Sequence, residues 1–462
     1  MSTASRQPAL PQPDLSPVMP SPRGSRLRAI LPLPAGKPLG ILILSIVVLL
    51  VPVCLIELPV LRHSHGNVLY PMDGAFLNMT VARNLAFYKV WGVSKYAFQS
   101  AATSLFYPLI IAAVFFIAGT HLVIPLIVNV LIAAYFLLLL QRALIRYGLP
   151  LLHQLLVLLA TMALTLLPLL VVSGMEYVLQ LLLVFLFADA LIASPRDKKV
   201  YIFALLAVAT RYEDILVIAL ACLALGSQKN WKTAAKLAAV ALSPIIIFGI
   251  ISLSKKSYFL PNALLVKPFP TYVLALTILA AAAGAWLTVR YTRISPVDPK
   301  QPAPRPNQPA PEAAQPNRRP AQPNRHPAQL AAAILTLLTV PFTLGNAANL
   351  SHFQRDCYQV YDGQFLTAGF IHLYYNKSSV GVNQPGAASY FSEGRKLDYT
   401  GLASLNVTEK RSQHAWSPRW ADSLSRLDGI RIAIVADPWF TPRQLSRWTR
   451  IASWNFPDND PS

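Results

Sequence analysis

Long apolar runs separated by short polar breaks set the rhythm of this chain. Runs dominated by Leu, Ile, Val, Ala and Phe occupy about 39–60, 104–119, 121–141, 151–172, 176–193, 200–210, 213–226, 235–253, 270–288 and 329–348. A helix needs roughly 20 apolar residues to cross a bilayer, and a lipid-facing backbone must satisfy its hydrogen bonds within the helix. The pattern therefore predicts an α-helical polytopic membrane protein with about nine to eleven membrane segments. The breaks alternate in character. Arg142/Arg146, Pro195-Arg196-Asp197-Lys198-Lys199, Lys229-Asn230-Trp231-Lys232 and the tract from Arg290 to His326 are basic, as cytoplasmic loops are. The opposite breaks, at 173–177, 210–214 and 255–267, are then outside. The short run 104–119 is expected to dip into the membrane or lie along it, which leaves about nine full spans and closes the alternation.

Three stretches lack this rhythm. Residues 1–38 are rich in Pro, Ser and Arg, predicting a disordered cytoplasmic tail. Residues 289–328 are rich in Pro, Gln, Asn and Arg and read as a solvated cytoplasmic linker between a membrane domain, 39–288, and a last membrane helix, 329–350. Residues 351–462 are mixed. β-prone runs at Ser379-Val380-Gly381-Val382 and Ile430-Arg431-Ile432-Ala433-Ile434-Val435 alternate with helical stretches, predicting a small extracytoplasmic α/β domain.

Composition agrees. The chain is 54% hydrophobic and 13% charged, and its mean hydropathy is +0.45. The net charge of +20 is spread over the loops between apolar runs, with no basic groove interleaved with stacking aromatics, so nucleic acid is excluded as a partner. Of three cysteines, Cys54 and Cys222 fall inside apolar runs and Cys357 stands alone, so no disulfide framework is expected.

Candidate chemistry collects at the outer face. Tyr70-Pro71-Met72-Asp73-Gly74 follows the first apolar run and opens an amphipathic stretch with Phe76, Met79, Leu85 and Tyr88 on one stripe. Asp73 is either an N-terminal cap for that helix or a general base at the membrane–water boundary. Arg83, Glu176, Arg211, Glu213, Asp214, Lys255, Lys256, Tyr258, Asn262 and Lys267 lie on the same side, where ionisable groups beside spans are functional candidates. Arg211 and Glu213 interrupt what is otherwise one apolar run, 200–226, either as a pair that satisfies itself or as part of a site. Glu176 suits binding sugar hydroxyls or capping the next helix; Lys255 and Lys256 suit anchoring a helix end; Tyr258-Phe259-Leu260-Pro261-Asn262 suits a loop over a lipid ligand or an interfacial aromatic belt.

Asp73-Gly74-Ala75-Phe76…Ala82-Arg83-Asn84-Leu85, Thr103-Ser104-Leu105-Phe106, Ser173-Gly174-Met175-Glu176, Thr210-Arg211-Tyr212-Glu213 and Tyr258-Phe259-Leu260-Pro261-Asn262, in that order, resemble the GT-C superfamily of membrane glycosyltransferases. They are most similar to the bacterial branch that includes the mycobacterial terminal arabinofuranosyltransferase. In the tail, Asn383-Gln384-Pro385-Gly386-Ala387-Ala388-Ser389-Tyr390-Phe391 and Leu397-Asp398-Tyr399-Thr400-Gly401-Leu402 are similar to stretches of that branch's outer domain. The resemblance runs from about 39 to 435 and skips the linker.

What it implies is transfer of a hexose or pentose from a polyprenyl-phosphate-linked donor to a cell-envelope glycan, lipid or protein, with inversion, at the outer face of a bacterial cytoplasmic membrane. Asp73 matches the family's catalytic aspartate. Arg211, Glu213, Lys267, Asn262, Tyr258, Glu176 and Arg83 are the expected donor phosphate and sugar contacts. The sequence departs from the family twice: Asp73-Gly74 stands where paired acids are frequent, and Arg211-Tyr212-Glu213 where Arg-Pro-Glu is usual. A divalent cation is therefore the one cofactor left open, and its ligands are unknown. The alternative reading is a lipid or sugar-lipid transporter, which would show internal repeats and mid-membrane polar groups. A membrane scaffold displaying its tail would account for the tail but not for the charge cluster.

Overall fold

The computed structural model describes residues 36–266, 352–435 and 448–454. The runs 270–288 and 329–348, the N-terminal tail, the Pro-rich tract and Lys267 lie outside the described residues. Among the described residues, three helices are long and apolar enough to cross a membrane: α1 (Lys37–His63), α4 (Ile124–Arg146) and α10 (Trp231–Ser254). Helix α1 shows what such a helix does with its surface. Leu42, Leu49, Val53 and Val60 are buried on one side, while Ile43, Leu44, Val47, Val51, Leu55 and Leu58 are exposed on the other. So continuous an exposed apolar stripe is unfavourable in water and favourable against lipid.

Shorter helices fill in between: α2 (Asp73–Tyr88), α3 (Tyr107–Ala118), α5 (Leu151–Leu164), α6 (Leu167–Val172), α7 (Tyr177–Ala193), α8 (Lys198–Thr210), α9 (Ile215–Ser227) and α11 (Asn262–Val266). The expected single run 151–172 is two helices. Leu166 is left-handed (φ 47°) and Pro168 has no N–H to continue the ladder, so the helix stops at Leu164 and restarts at Leu167. The break expected at Arg211 is present: Arg211 is extended, and a 3-10 turn, Tyr212–Asp214, joins α8 to α9.

Helix α3 packs lengthwise on α2. At its start the amides of Leu105 and Phe106 donate to Ala209 O, and Tyr107 Oη donates to Gly174 O. Just past its end, Leu122 O accepts from Tyr70 Oη. Both ends of α3 thus meet the loops that flank Asp73 and Arg211. Helix α2 is not the one-sided helix its stripe suggested. Asn78, Thr80 and Asn84 are buried along with Phe76 and Met79, because α3 and a tail helix cover it from two sides.

The tail begins with α12 (Phe353–Val360), a π-helical turn (Tyr361–Phe365) and α13 (Leu366–Tyr375), then continues as β1 (Val380–Val382), α14 (Pro385–Phe391), β2 (Lys396–Asp398), α15 (Leu405–Ser412), α16 (Pro418–Leu427) and β3 (Ile432–Ile434). The three strands form a parallel sheet in the order β2-β1-β3, with Val380 opposite both Lys396 and Ile432. Val380 and Val382 pack with Ile371 and Ala388. The small sheet-containing domain expected of the tail is therefore present. Two seams hold it to the helices: α12 against α1, where His63 stacks on Tyr358 at 4.2 Å, and α14 against α2.

Lys396 is a strained choice for the first residue of β2. It is 8% exposed, and its Nζ donates to Gly394 O at 2.6 Å. Burial, with the Arg83 charge nearby, pushes its amine down to about 8. A depressed lysine pKa means that folding disfavours the protonated form, so stability is lowest below pH 8 and rises between about 8 and the ordinary lysine value. Lys396→Met is expected to raise stability at pH 7 by up to about 3 kcal/mol and to flatten the rise above pH 8. Thermal melting across pH 7–10 checks both; a destabilised variant with an unchanged pH profile would contradict the account.

Candidate functional site

Asp73 is the first residue of α2, and the carboxylate does more than open that helix. It reaches across to the tail, where Oδ2 accepts from Gly386 N at 3.1 Å and Oδ1 from Ala387 N at 3.3 Å. These are amides in the first turn of α14, which its own sequence leaves without a side-chain cap. The carboxylate from the membrane part thus supplies a cap to a helix 313 residues away. It satisfies orphan donors and sits at the positive end of the helix dipole. Space enforces the pairing, because a Cβ on Gly386 would collide with Asp73 O and Oδ1.

Arg83 completes the clamp. Ten residues on, about three turns along α2, its guanidinium donates to Ser389 O at 3.1 Å and to Tyr390 O. It also lies 5.6 Å from the Tyr390 ring centroid. An acid at the start of α14 and a base at its end complement its dipole, both supplied by α2. Arg83, expected among the donor contacts, is committed to the tail.

Beside Asp73 lies a denser polar group built by the turns at 173–177 and 210–214. A Cβ on Gly74 would meet Met175 Cε at 3.0 Å, so the position where paired acids are frequent in the resembling family faces a methionine. Glu176 is fully buried. It stands at the N-cap position of α7 but makes no cap bond; its oxygens accept from Asn78 Nδ2 at 3.0 Å, Thr103 Oγ1 at 3.1 Å and Arg211 Nη1 at 3.4 Å. Arg211 also grips Glu213 with two bonds, Nη2 to Oε1 at 2.7 Å and Nε to Oε2 at 3.3 Å, and lies 4.9 Å from the Tyr177 ring centroid. Arg211 and Glu213 keep 16% and 20% side-chain exposure, so the pair is reachable from outside while Glu176 is sealed beneath it.

Asn78, Thr103 and Tyr177 complete this group; Thr103 opens one of the motifs quoted above, while Asn78 and Tyr177 were not named as candidates. Asn78 and Tyr177 each follow a candidate acid by a short helical step, and that is the only signal that pointed to them. Asp214, next in the chain, is buried with Oδ1 accepting from Gln180 Nε2 at 2.7 Å and Oδ2 without a hydrogen-bond partner.

The remaining candidates lie apart. Asn262 Nδ2 donates to Leu402 O at 3.1 Å and its amide to Ser100 O at 3.0 Å, so it fastens the outer loop under the Asp398–Leu402 turn. That turn is organised by Asp398, which accepts from Thr400 N, Thr400 Oγ1 and Ala403 N at 2.6–2.8 Å. Tyr258 is half-buried; its carbonyl accepts from Ser252 Oγ at 2.6 Å. Lys255 and Lys256 are exposed at the end of α10, as helix-end anchors are. Among the described residues no three His, Cys, Asp or Glu side chains converge as metal ligands, and Met175 fills the place beside Asp73 that a second acid would need.

A family model described as a domain of unknown function (DUF8728) matches residues 354–461, the tail alone. No curated protein and no solved structure matches the chain.

Two outcomes follow from the geometry. Gly386→Ala forces α14 away from Asp73 and is expected to cost about 1–3 kcal/mol, with faster proteolysis of the tail; a variant that melts and digests like the parent would refute the contact. Arg211→Ala leaves Glu176 buried with its charge uncompensated and is expected to cost about 3–5 kcal/mol, most of it recovered by adding Glu176→Gln. Thermal melts of the single and double variants decide, and an unrecovered double variant would contradict the coupling.

Proposed function

We propose that this protein is an inverting, polyprenyl-phosphate-dependent glycosyltransferase of the GT-C type. In this reading it is a multi-pass protein of a bacterial cytoplasmic membrane, with a cytoplasmic N-terminus, an outward-facing tail and about nine spans. The observation that carries the reading is the neighbourhood of one half-buried carboxylate, Asp73, and one partly exposed, doubly braced guanidinium, Arg211, tied to each other through Gly74–Met175 and Asn78–Glu176.

The reaction follows from those two groups. Asp73 takes the proton of an acceptor hydroxyl as that oxygen attacks the anomeric carbon from the face opposite the phosphate. A carbon–oxygen bond forms to the acceptor, the bond to the phosphate oxygen breaks, and the polyprenyl phosphate departs with the electron pair. The leaving group is a phosphate of low basicity, so no acid need protonate it. Arg211 offers charge-assisted bonds to it, as a planar guanidinium does best. The amides of Gly386 and Ala387 fix the direction of the Asp73 carboxylate. The acceptor is a cell-envelope glycan, lipid or protein.

The apolar tail of the donor has a place as well. A cavity of about 580 Å³ lies between α9 and α10, lined by Ile215, Ile218, Cys222, Trp231, Ala234 and Ala238 among others. Its outermost residue, Ile215, is four positions past Arg211. An isoprenoid chain lying there places its phosphate at Arg211.

The test is mass spectrometry of lipid extracted from protein purified under mild conditions, followed by exchange with added polyprenyl-phosphate sugars. A bound polyprenyl-phosphate sugar is expected, retained about tenfold less by Arg211→Lys, at roughly 1.5 kcal/mol for the lost second bond. Ala238→Trp, which fills the groove, is expected to weaken retention of long-chain donors more than short ones. Retention of ordinary phospholipid alone, unchanged by either substitution, would overturn the reading.

A further inference from the structure

A second charged surface lies away from Arg211, where the end of α2 meets the start of β2. Lys89 Nζ lies 5.5 Å from the Phe116 ring centroid, Lys95 Nζ 5.4 Å from Tyr88 and 5.6 Å from Tyr96, and the Arg395 guanidinium 5.6 Å from Tyr96. These contacts form an unbroken ribbon from α3 across the α2 loop to the tail. Two of its cations, Lys89 and Arg395, are exposed; Lys95 is held half-buried by Glu393 at 2.8 Å. Half-buried Arg83 and buried Lys396 lie nearby, and Lys377 adds its charge beside Glu393. Among the described residues two carboxylates, Glu393 and Asp428, meet this set, so the surface carries a net excess of positive charge.

The ribbon is continuous with an apolar surface. Phe87, Tyr88 and Phe116 are 49%, 47% and 68% exposed, and Ile117 is 85% exposed. They belong to α2 and α3, which pack against each other. A row of cations over exposed tyrosines, bordered on one side by bare Phe and Ile, has the chemistry of the boundary between acyl chains and headgroups. The excess charge selects the sign of the headgroup.

We propose that this ribbon binds the headgroups of anionic phospholipids in the outer leaflet. Phe116 and Ile117 enter the acyl region, and Lys89, Lys95 and Arg395 reach the phosphates. Because Lys89 and Lys95 belong to the membrane part and Arg395 to the tail, one lipid layer contacts both sides of the seam, so bound lipid adds to the hold that Asp73 and Arg83 already have on α14. The inference goes beyond the transferase reading and rests on that reading's membrane placement and outward-facing tail.

The experiment is hydrogen exchange on the full-length protein in nanodiscs of phosphatidylcholine, with and without phosphatidylglycerol, and with inorganic phosphate added to the first. Phosphatidylglycerol is expected to slow exchange in the segments 86–97 and 393–397, and phosphatidylcholine or inorganic phosphate is not. Replacing Lys89, Lys95 and Arg395 together by Gln is expected to lower the apparent affinity for phosphatidylglycerol roughly 100-fold, at about fivefold per cation. Arg419→Gln with Arg426→Gln on α16 should leave it unchanged. Equal protection by phosphatidylcholine or by free phosphate, absence of protection, or protection that survives the triple change would each overturn the proposal. Should the triple variant fail to fold, the comparison of lipids on the parent protein decides alone.

Discussion

One carboxylate joins the two parts of this molecule. Asp73 begins a helix of the membrane part and caps a helix of the tail, so the position of the tail and the state of the carboxylate are the same variable. Helix α14 is too short and too poorly capped to be stable alone; it needs an acid at its first turn and a base at its last, and α2 supplies both. Gly386 permits the approach because no Cβ stands between the two backbones. If Asp73 is the general base, its two amide donors fix its direction, which suits a group that must meet one hydroxyl at one angle.

The polar group around Glu176 plays a different part. A fully buried carboxylate is tolerable only with a charge and hydrogen bonds to match, and Arg211, Asn78 and Thr103 provide them from three separate segments. Glu213, partly exposed, takes the other edge of Arg211. The guanidinium therefore has one sealed partner that fixes it and one partner that keeps some exposure; on the proposed reading the donor phosphate displaces the second. This division reconciles the two sequence readings of the Arg211–Glu213 pair, since one arginine can both satisfy its neighbours and face a ligand.

Much of this was legible in the sequence, and the failures have physical causes. Membrane helices announce themselves because every turn must be apolar, so α1, α4 and α10 match their runs. The break at Leu166 was missed because Pro168 sits in a run apolar enough to mask it. Asp73 was recognised as a cap or a base, but the helix it caps lies in the tail, and no local pattern pairs residues 313 positions apart. Glu176 suited either binding sugar hydroxyls or capping the next helix; it makes no cap bond and is buried against Asn78, Thr103 and Arg211. Asn262 and Arg83 were read as ligand contacts because they are polar and at the outer face, whereas the structure turns both toward tail carbonyls. In each case the partner came from a distant segment.

The central claim is that Asp73 performs chemistry as well as joining the parts, and Asp73→Asn separates the two. The amide side chain keeps an oxygen to accept from α14 while losing the basicity. The measurement is the rate of sugar transfer from a polyprenyl-phosphate donor by purified Asp73→Asn, alongside its melting temperature and donor retention. The account predicts a folded, donor-binding protein whose rate falls by about 100- to 10,000-fold. Near-normal transfer by Asp73→Asn would contradict it and leave Asp73 as a structural joint alone.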